Sequence, residues 1–119
     1  MREFSSNINI IGGGLIGAAC AYSLSKLGFK ISILEKNPVF NPKNNYFDIR
    51  TVAISEGTKQ FLDILGLWKE IKKYSEPIKK IKIIDRSDKN TLDFDNIRRN
   101  SNLGYIVKNS EILKILYKN

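Results

Sequence analysis

Three consecutive glycines, Gly12 to Gly14, stand between a β-branched stretch and a strongly helical one. Glycine is the most permissive residue for a turn and among the worst for a helix interior, so the junction must have its own reason. Ile8, Ile10 and Ile11 precede it and read as a short buried strand. Leu15 to Leu27 follows, with Ile16, Cys20, Leu24 and Leu27 at helical spacing as an apolar, core-facing stripe, and Gly28 as the stop. Phe29 to Leu34 supplies a second strand. Strand, glycine turn, helix, strand is the βαβ pattern of a parallel sheet.

Gly12, Gly14 and Gly17 fit G-x-G-x-x-G within that unit. The first glycine permits the tight turn out of the strand, the second lets a pyrophosphate approach the backbone, and the third lets helix and strand pack closely. Free N–H groups and the helix dipole at the helix start then favour phosphate. Gly12, Gly13, Gly14, Leu15, Ile16 and Gly17 are therefore the candidate pyrophosphate-binding residues. Glu35 ends the second strand about twenty residues past the turn, where a carboxylate can accept hydrogen bonds from adenosine ribose hydroxyls. The same charge would repel a 2′-phosphate. Its alternative is a solvated strand end.

Beyond Asn37, two prolines and several asparagines mark a loop. Asp48 to Ser55 (DIRTVAIS) reads as extended, and Ser55 can cap a helix running to about Leu65, with a further helical turn at LWKEI. Ile81 and Ile83 alternate with lysines and read as a half-exposed strand; Leu92 and Phe94 alternate again, so the pair suggests an antiparallel hairpin. GYIV is a short strand, and a helix begins near Ser110. The chain thus divides into a βαβ unit at 7–36, a helical segment at 55–73, a hairpin at 79–95 and a strand and helix at 104–119.

Composition removes several chemistries. Histidine is absent and Cys20 is the single cysteine, which excludes histidine triads, histidine metal sites and an internal disulfide, and no metal ligands are assigned. Cys20 reads as core packing. The net charge of +8 comes from lysines scattered along a chain rich in Ile and Asn, without a recognised nucleic-acid motif, so no nucleic-acid partner is expected. No apolar run approaches a transmembrane length and no secretory leader is recognised, so the chain reads as cytoplasmic.

The glycine segment, ending in Glu35-Lys36, resembles the ADP-binding fingerprint of FAD and NAD enzymes, and a glutamate followed by Lys36 is more typical of the FAD proteins. Asp48 to Trp68 resembles the next segment of the FAD-dependent aromatic-ring hydroxylases, in the ubiquinone-biosynthesis hydroxylase branch. Asp48, Arg50, Ala53, Ser55, Leu65, Gly66 and Trp68 carry that likeness, as do Asp85-Arg86 and Leu103 to Val107. The resemblance implies an α/β fold, a Rossmann-like βαβ FAD-binding domain with a β-hairpin insertion. It covers the N-terminal part of the family, and the chain reads as truncated, because the family's later Gly-Asp and Asp-Gly motifs do not occur in it.

By the same resemblance Arg50 lies near the flavin pyrophosphate, and Lys36 belongs with Glu35 at the adenosine end. Lys108, Asn109 and Ser110 stand where the family often has Glu-Asn-Arg, so a flavin contact from that arginine is not carried over. The implied activity is an NAD(P)H-dependent flavin monooxygenase hydroxylating a polyprenyl phenol, with no side chain of this chain assigned as catalytic. Such a substrate implies peripheral association with the inner membrane or with a biosynthetic complex. The alternatives are a non-catalytic or degenerate dinucleotide-binding module, and another FAD oxidoreductase such as an amine or amino-acid oxidase.

Overall fold

The computed structural model describes residues 5–37, 49–85, 90–95 and 101–119. Asp48, Arg86 and most of the loop anticipated beyond Asn37 lie outside these residues. The chain forms two compact units, Met1–Arg50 with Asn109–Asn119, and Thr51–Lys108.

The first unit contains β1 (Ile8–Ile11), α1 (Leu15–Lys26), β2 (Ile31–Leu34) and α4 (Asn109–Lys118). β1 and β2 pair in parallel, with Ile8 opposite Ile31 and Ile11 opposite Leu34. A parallel pair needs a crossover, and α1 supplies it. α1 packs on β2 and on α4, burying Ala18, Ala21 and Tyr22 from its own surface and Ile112, Ile115 and Leu116 from α4.

Two sequence expectations fail here. The apolar stripe of Ile16, Cys20 and Leu27 faces outward; Ile16 is 85% exposed and Cys20 is an exposed free thiol. The reason is Gly17. A Cβ there would run into the Gly12 carbonyl oxygen, so this face of α1 is pressed against the end of β1. That contact sets the helix phase and turns Ala18 and Ala21 inward. Nor is β1 a buried strand: its residues alternate between partial and full exposure, and Ile11 at its end is 89% exposed.

The second unit holds an antiparallel sheet in the order β3 (Thr51–Ile54), β7 (Gly104–Lys108), β4 (Ser75–Ile78). Ser55 caps α2 (Glu56–Ile64), accepting the Thr58 N–H at 3.2 Å. α3 (Trp68–Ile71) and a 3₁₀ turn at Lys72–Tyr74 lead into β4. β4 was not foreseen, since Ser-Glu-Pro-Ile lacks a strand pattern. Pro77 is tolerated because β4 is an edge strand. The core here is aromatic and β-branched: Ile54, Leu62, Trp68, Ile71, Tyr105 and Val107 are buried, and Trp68 meets Tyr105 edge-on with ring centroids 4.8 Å apart.

β5 (Lys80–Ile84) and β6 (Thr91–Asp95) form the expected antiparallel hairpin, with Ile81 opposite Phe94 and Ile83 opposite Leu92. The expected half-burial is not found, because every residue of both strands is exposed. The alternation puts Ile81, Ile83, Leu92 and Phe94 on one face, where the register sets them opposite one another across the strands. Lys80 and Asp93 pair at 2.6 Å, and each group's ionisation is shifted by the other, the lysine upward and the aspartate downward.

Candidate nucleotide site

The glycine turn is built at the carboxyl end of β1. Gly12 adopts φ of +99°, a left-handed conformation that side chains resist, and its N–H donates to the Leu34 carbonyl at 2.8 Å. The chain can therefore reverse sharply while still attached to β2. Gly14 is the N-cap of α1, and its carbonyl accepts the Ala18 N–H at 2.9 Å. No side chain caps this end and no acidic residue lies in the first turn. The N–H groups of Leu15, Ile16 and Gly17 thus open the helix without intrahelical acceptors, at the positive end of its dipole.

A groove of about 640 Å³ runs along this helix start. Gly12, Gly14, Leu15, Ile16 and Gly17 line it, and Arg50 stands on its wall. Six of the nine residues singled out from sequence are brought together there. Nothing lies within 4 Å of where a Gly14 Cβ would be, so the backbone is open to close approach. Arg50 is held through its main chain, its carbonyl accepting the Asn109 N–H at 3.0 Å at the start of α4.

Gly13, Glu35 and Lys36 do not line the groove. Gly13 is buried, and its N–H donates to Glu35 Oε2 at 2.6 Å. Glu35 Oε1 accepts the Asn37 N–H at 2.9 Å. These backbone donors, Asn37 first and Gly13 next, hold the carboxyl below its ordinary range and keep it ionised at neutral pH. Each carboxylate oxygen retains a further lone pair, so the group can accept from an additional hydroxyl. Lys36 is exposed.

Three residues at this site were not singled out as ligands from sequence. Cys20 and Asn109 line the groove, and the Asn109 Oδ1 is shut off from solvent with no hydrogen-bond partner among the described residues. Tyr117 donates its hydroxyl to the Gly13 carbonyl at 2.9 Å. No local signal announces Tyr117, because it lies 104 residues from the glycine it touches.

Residues 10–41 match the family model for an NAD(P)-binding Rossmann-like domain. Ubiquinone hydroxylase UbiL of Rhodospirillum rubrum is 27% identical over 104 residues, 87% of this chain and 24% of the relative. The crystal structure of p-nitrophenol 4-monooxygenase PnpA from Pseudomonas putida DLL-E4 shares the fold, with a TM-score of 0.72 at 20% identity, over 99% of this chain and 29% of that one. The likeness to these two proteins runs over most of this chain but over only about a quarter of each of them.

A shorter and more identical match, 57% over 28 residues, is to D-amino acid dehydrogenase of Helicobacter pylori, covering 24% of this chain and 7% of that protein. The chain spans about a quarter of the length of the ubiquinone hydroxylase it matches. Among the described residues, no helix is long and apolar enough to cross a membrane, and no cluster of three potential metal ligands occurs.

Proposed function

We propose that this chain cradles the ADP half of FAD in an NAD(P)H-dependent flavin monooxygenase that hydroxylates a phenolic ring, the ring being that of a polyprenyl phenol in ubiquinone biosynthesis. The observation that carries the reading is the uncapped start of α1, opening into a groove walled by glycine backbone and Arg50. A pyrophosphate fits this donor set: the N–H groups of Leu15, Ile16 and Gly17 and the Arg50 guanidinium supply positive charge, and Gly14 leaves room. Gly12 shapes the turn and Gly17 seats the helix. Glu35, ionised at the end of β2, suits the ribose hydroxyls, with Gly13 and Lys36 beside it.

A bound flavin would supply the redox chemistry, taking electrons from a reduced nicotinamide and activating oxygen for attack on an electron-rich ring. The residues of this chain bind and orient; none is assigned to proton transfer. A polyprenyl substrate would bring the whole protein to a membrane surface.

FAD titration of the full chain, followed by flavin fluorescence and by colour retained after gel filtration, tests the cradle. Saturable binding and a yellow protein are expected. A chain that stays colourless after reconstitution overturns it. In the whole protein, the expected activity is NAD(P)H oxidation that depends on a polyprenyl phenol. Dye reduction driven by a D-amino acid would instead favour the second reading, an amino-acid oxidoreductase, which draws on the short 57% identical match. The first reading is preferred because the hydroxylase likeness extends over 87% of the chain.

A further inference from the structure

Gly13 occupies a position that the G-x-G-x-x-G pattern leaves open to any residue, yet here both its main-chain groups are engaged. Its N–H donates to Glu35 Oε2 at 2.6 Å, and its carbonyl accepts the Tyr117 hydroxyl at 2.9 Å. We propose that Tyr117 is a positioning residue which, together with Glu35, clamps the Gly13 residue and holds the glycine turn in its ligand-ready conformation. This rests on the reading of that turn as a dinucleotide cradle.

The need for such a clamp is entropic. Three successive glycines lose more backbone freedom on ordering than any other tripeptide, and nothing lies within 4 Å of where a Gly14 Cβ would be. No capping side chain fixes the turn. The Gly12 N–H ties its first residue to Leu34, and two hydrogen bonds hold its middle residue, one from the end of β2 and one from the last turn of α4. Ordering done in advance is not charged against ligand binding. The Tyr117 hydroxyl keeps its proton, since partial burial and the nearby Glu35 charge both oppose ionisation, and it remains a donor.

The clamp also explains why the open position is glycine. A Cβ on Gly13 would collide with the Tyr117 hydroxyl, and it would lie 3.2 Å from Glu35 Cβ. A side chain at 13 would push the Tyr117 hydroxyl off the Gly13 carbonyl, so glycine here is what keeps the clamp closed. Tyr117→Phe keeps the ring and removes the colliding atom, so it should rescue Gly13→Ala.

The experiment is a double-mutant cycle of Tyr117→Phe and Gly13→Ala in the full chain. It is read by FAD titration, by melting without ligand, and by amide exchange at the glycine turn. Tyr117→Phe is expected to weaken FAD binding about fivefold, the size of one net hydrogen bond. Amide exchange should accelerate at Gly13 and Gly14 while the α1 interior is unchanged. Gly13→Ala should lower the melting temperature more in the parent than in the Tyr117→Phe background.

Unaltered FAD affinity and unaltered turn exchange in Tyr117→Phe would overturn the positioning role, as would additive effects in the cycle. Failure of the parent chain to bind FAD overturns the cradle reading instead. In that event non-additive melting with faster turn exchange still upholds the clamp.

Discussion

Within each of the two units of this chain a different kind of contact dominates. In the unit Thr51–Lys108, bulky side chains meet: Trp68 against Tyr105, with Ile71 and Val107 almost fully enclosed. In the unit containing the glycine turn, α1 buries Ala18, Ala21 and Tyr22 beside Ile112, Ile115 and Leu116 of α4, but at the turn itself the end of β1 meets Gly17 with no side chain between. There the ordering at the turn comes from hydrogen bonds that bridge distant positions, Gly13 to Glu35 and Tyr117 to Gly13. On the proposed reading this backbone admits a ligand, and a backbone open to a ligand cannot also be covered by side chains. Polar ties then replace apolar burial, at the same place where the sequence has surrendered its Cβ atoms.

The sharpest way to break this contrast is Gly17→Ala. The new methyl meets the Gly12 carbonyl, a backbone atom that cannot swing aside. α1 must shift, and FAD affinity should fall on the order of 100-fold; an affinity within a factor of two of the parent, by titration, would show that close approach is not needed. In the other unit the corresponding test is Ile71→Ala, at a side chain with no exposure. Lost burial and a residual cavity should cost about 3 kcal/mol, read by denaturant melting, with faster amide exchange in α3 and β7.

Glu35→Ala is expected to weaken FAD binding roughly tenfold while secondary structure by circular dichroism is retained; equal affinity would exclude the carboxylate as a ribose ligand. Acid adds an independent measurement. The carboxyl of Glu35 lies below its ordinary value of 4.5 in the folded chain. A depressed value means that its contribution is complete above 4.5 and is lost as pH falls through the lower folded value. Melting followed from neutrality into acid should show this loss, and Glu35→Gln should remove that part of the pH dependence. The smallest effect belongs to the cap of α2: Ser55→Ala should cost about 1 kcal/mol, with no change in FAD affinity.

Much of the βαβ unit and its glycine turn was legible in order along the chain. The glycine spacing, the β-branched run before it and Glu35 after the second strand all lie within one βαβ unit, where short-range periodicity is informative. Ser55 and the hairpin pairing were legible for the same reason. The errors share a cause too. Reading Ile16, Cys20 and Leu27 as the buried face followed hydrophobicity, whereas the phase of α1 is set by Gly17; the third glycine of the motif was the signal that could have decided it. The hairpin pattern identified two strands and their facing residues, but a pattern of alternation does not say whether anything covers the apolar side.

By itself the sequence determined the local chemistry: where the backbone can turn, where a helix starts without a cap, and which carboxylate ends the adjoining strand. These depend on residues within one βαβ unit, whose geometry is nearly invariant. The tertiary structure decided the rest. It brought Arg50 to the groove wall and Tyr117 onto the Gly13 carbonyl, joined β7 to β3 and β4, and left Cys20 exposed. Such contacts between distant positions depend on how elements pack, and packing is set by the shapes of all the partners together.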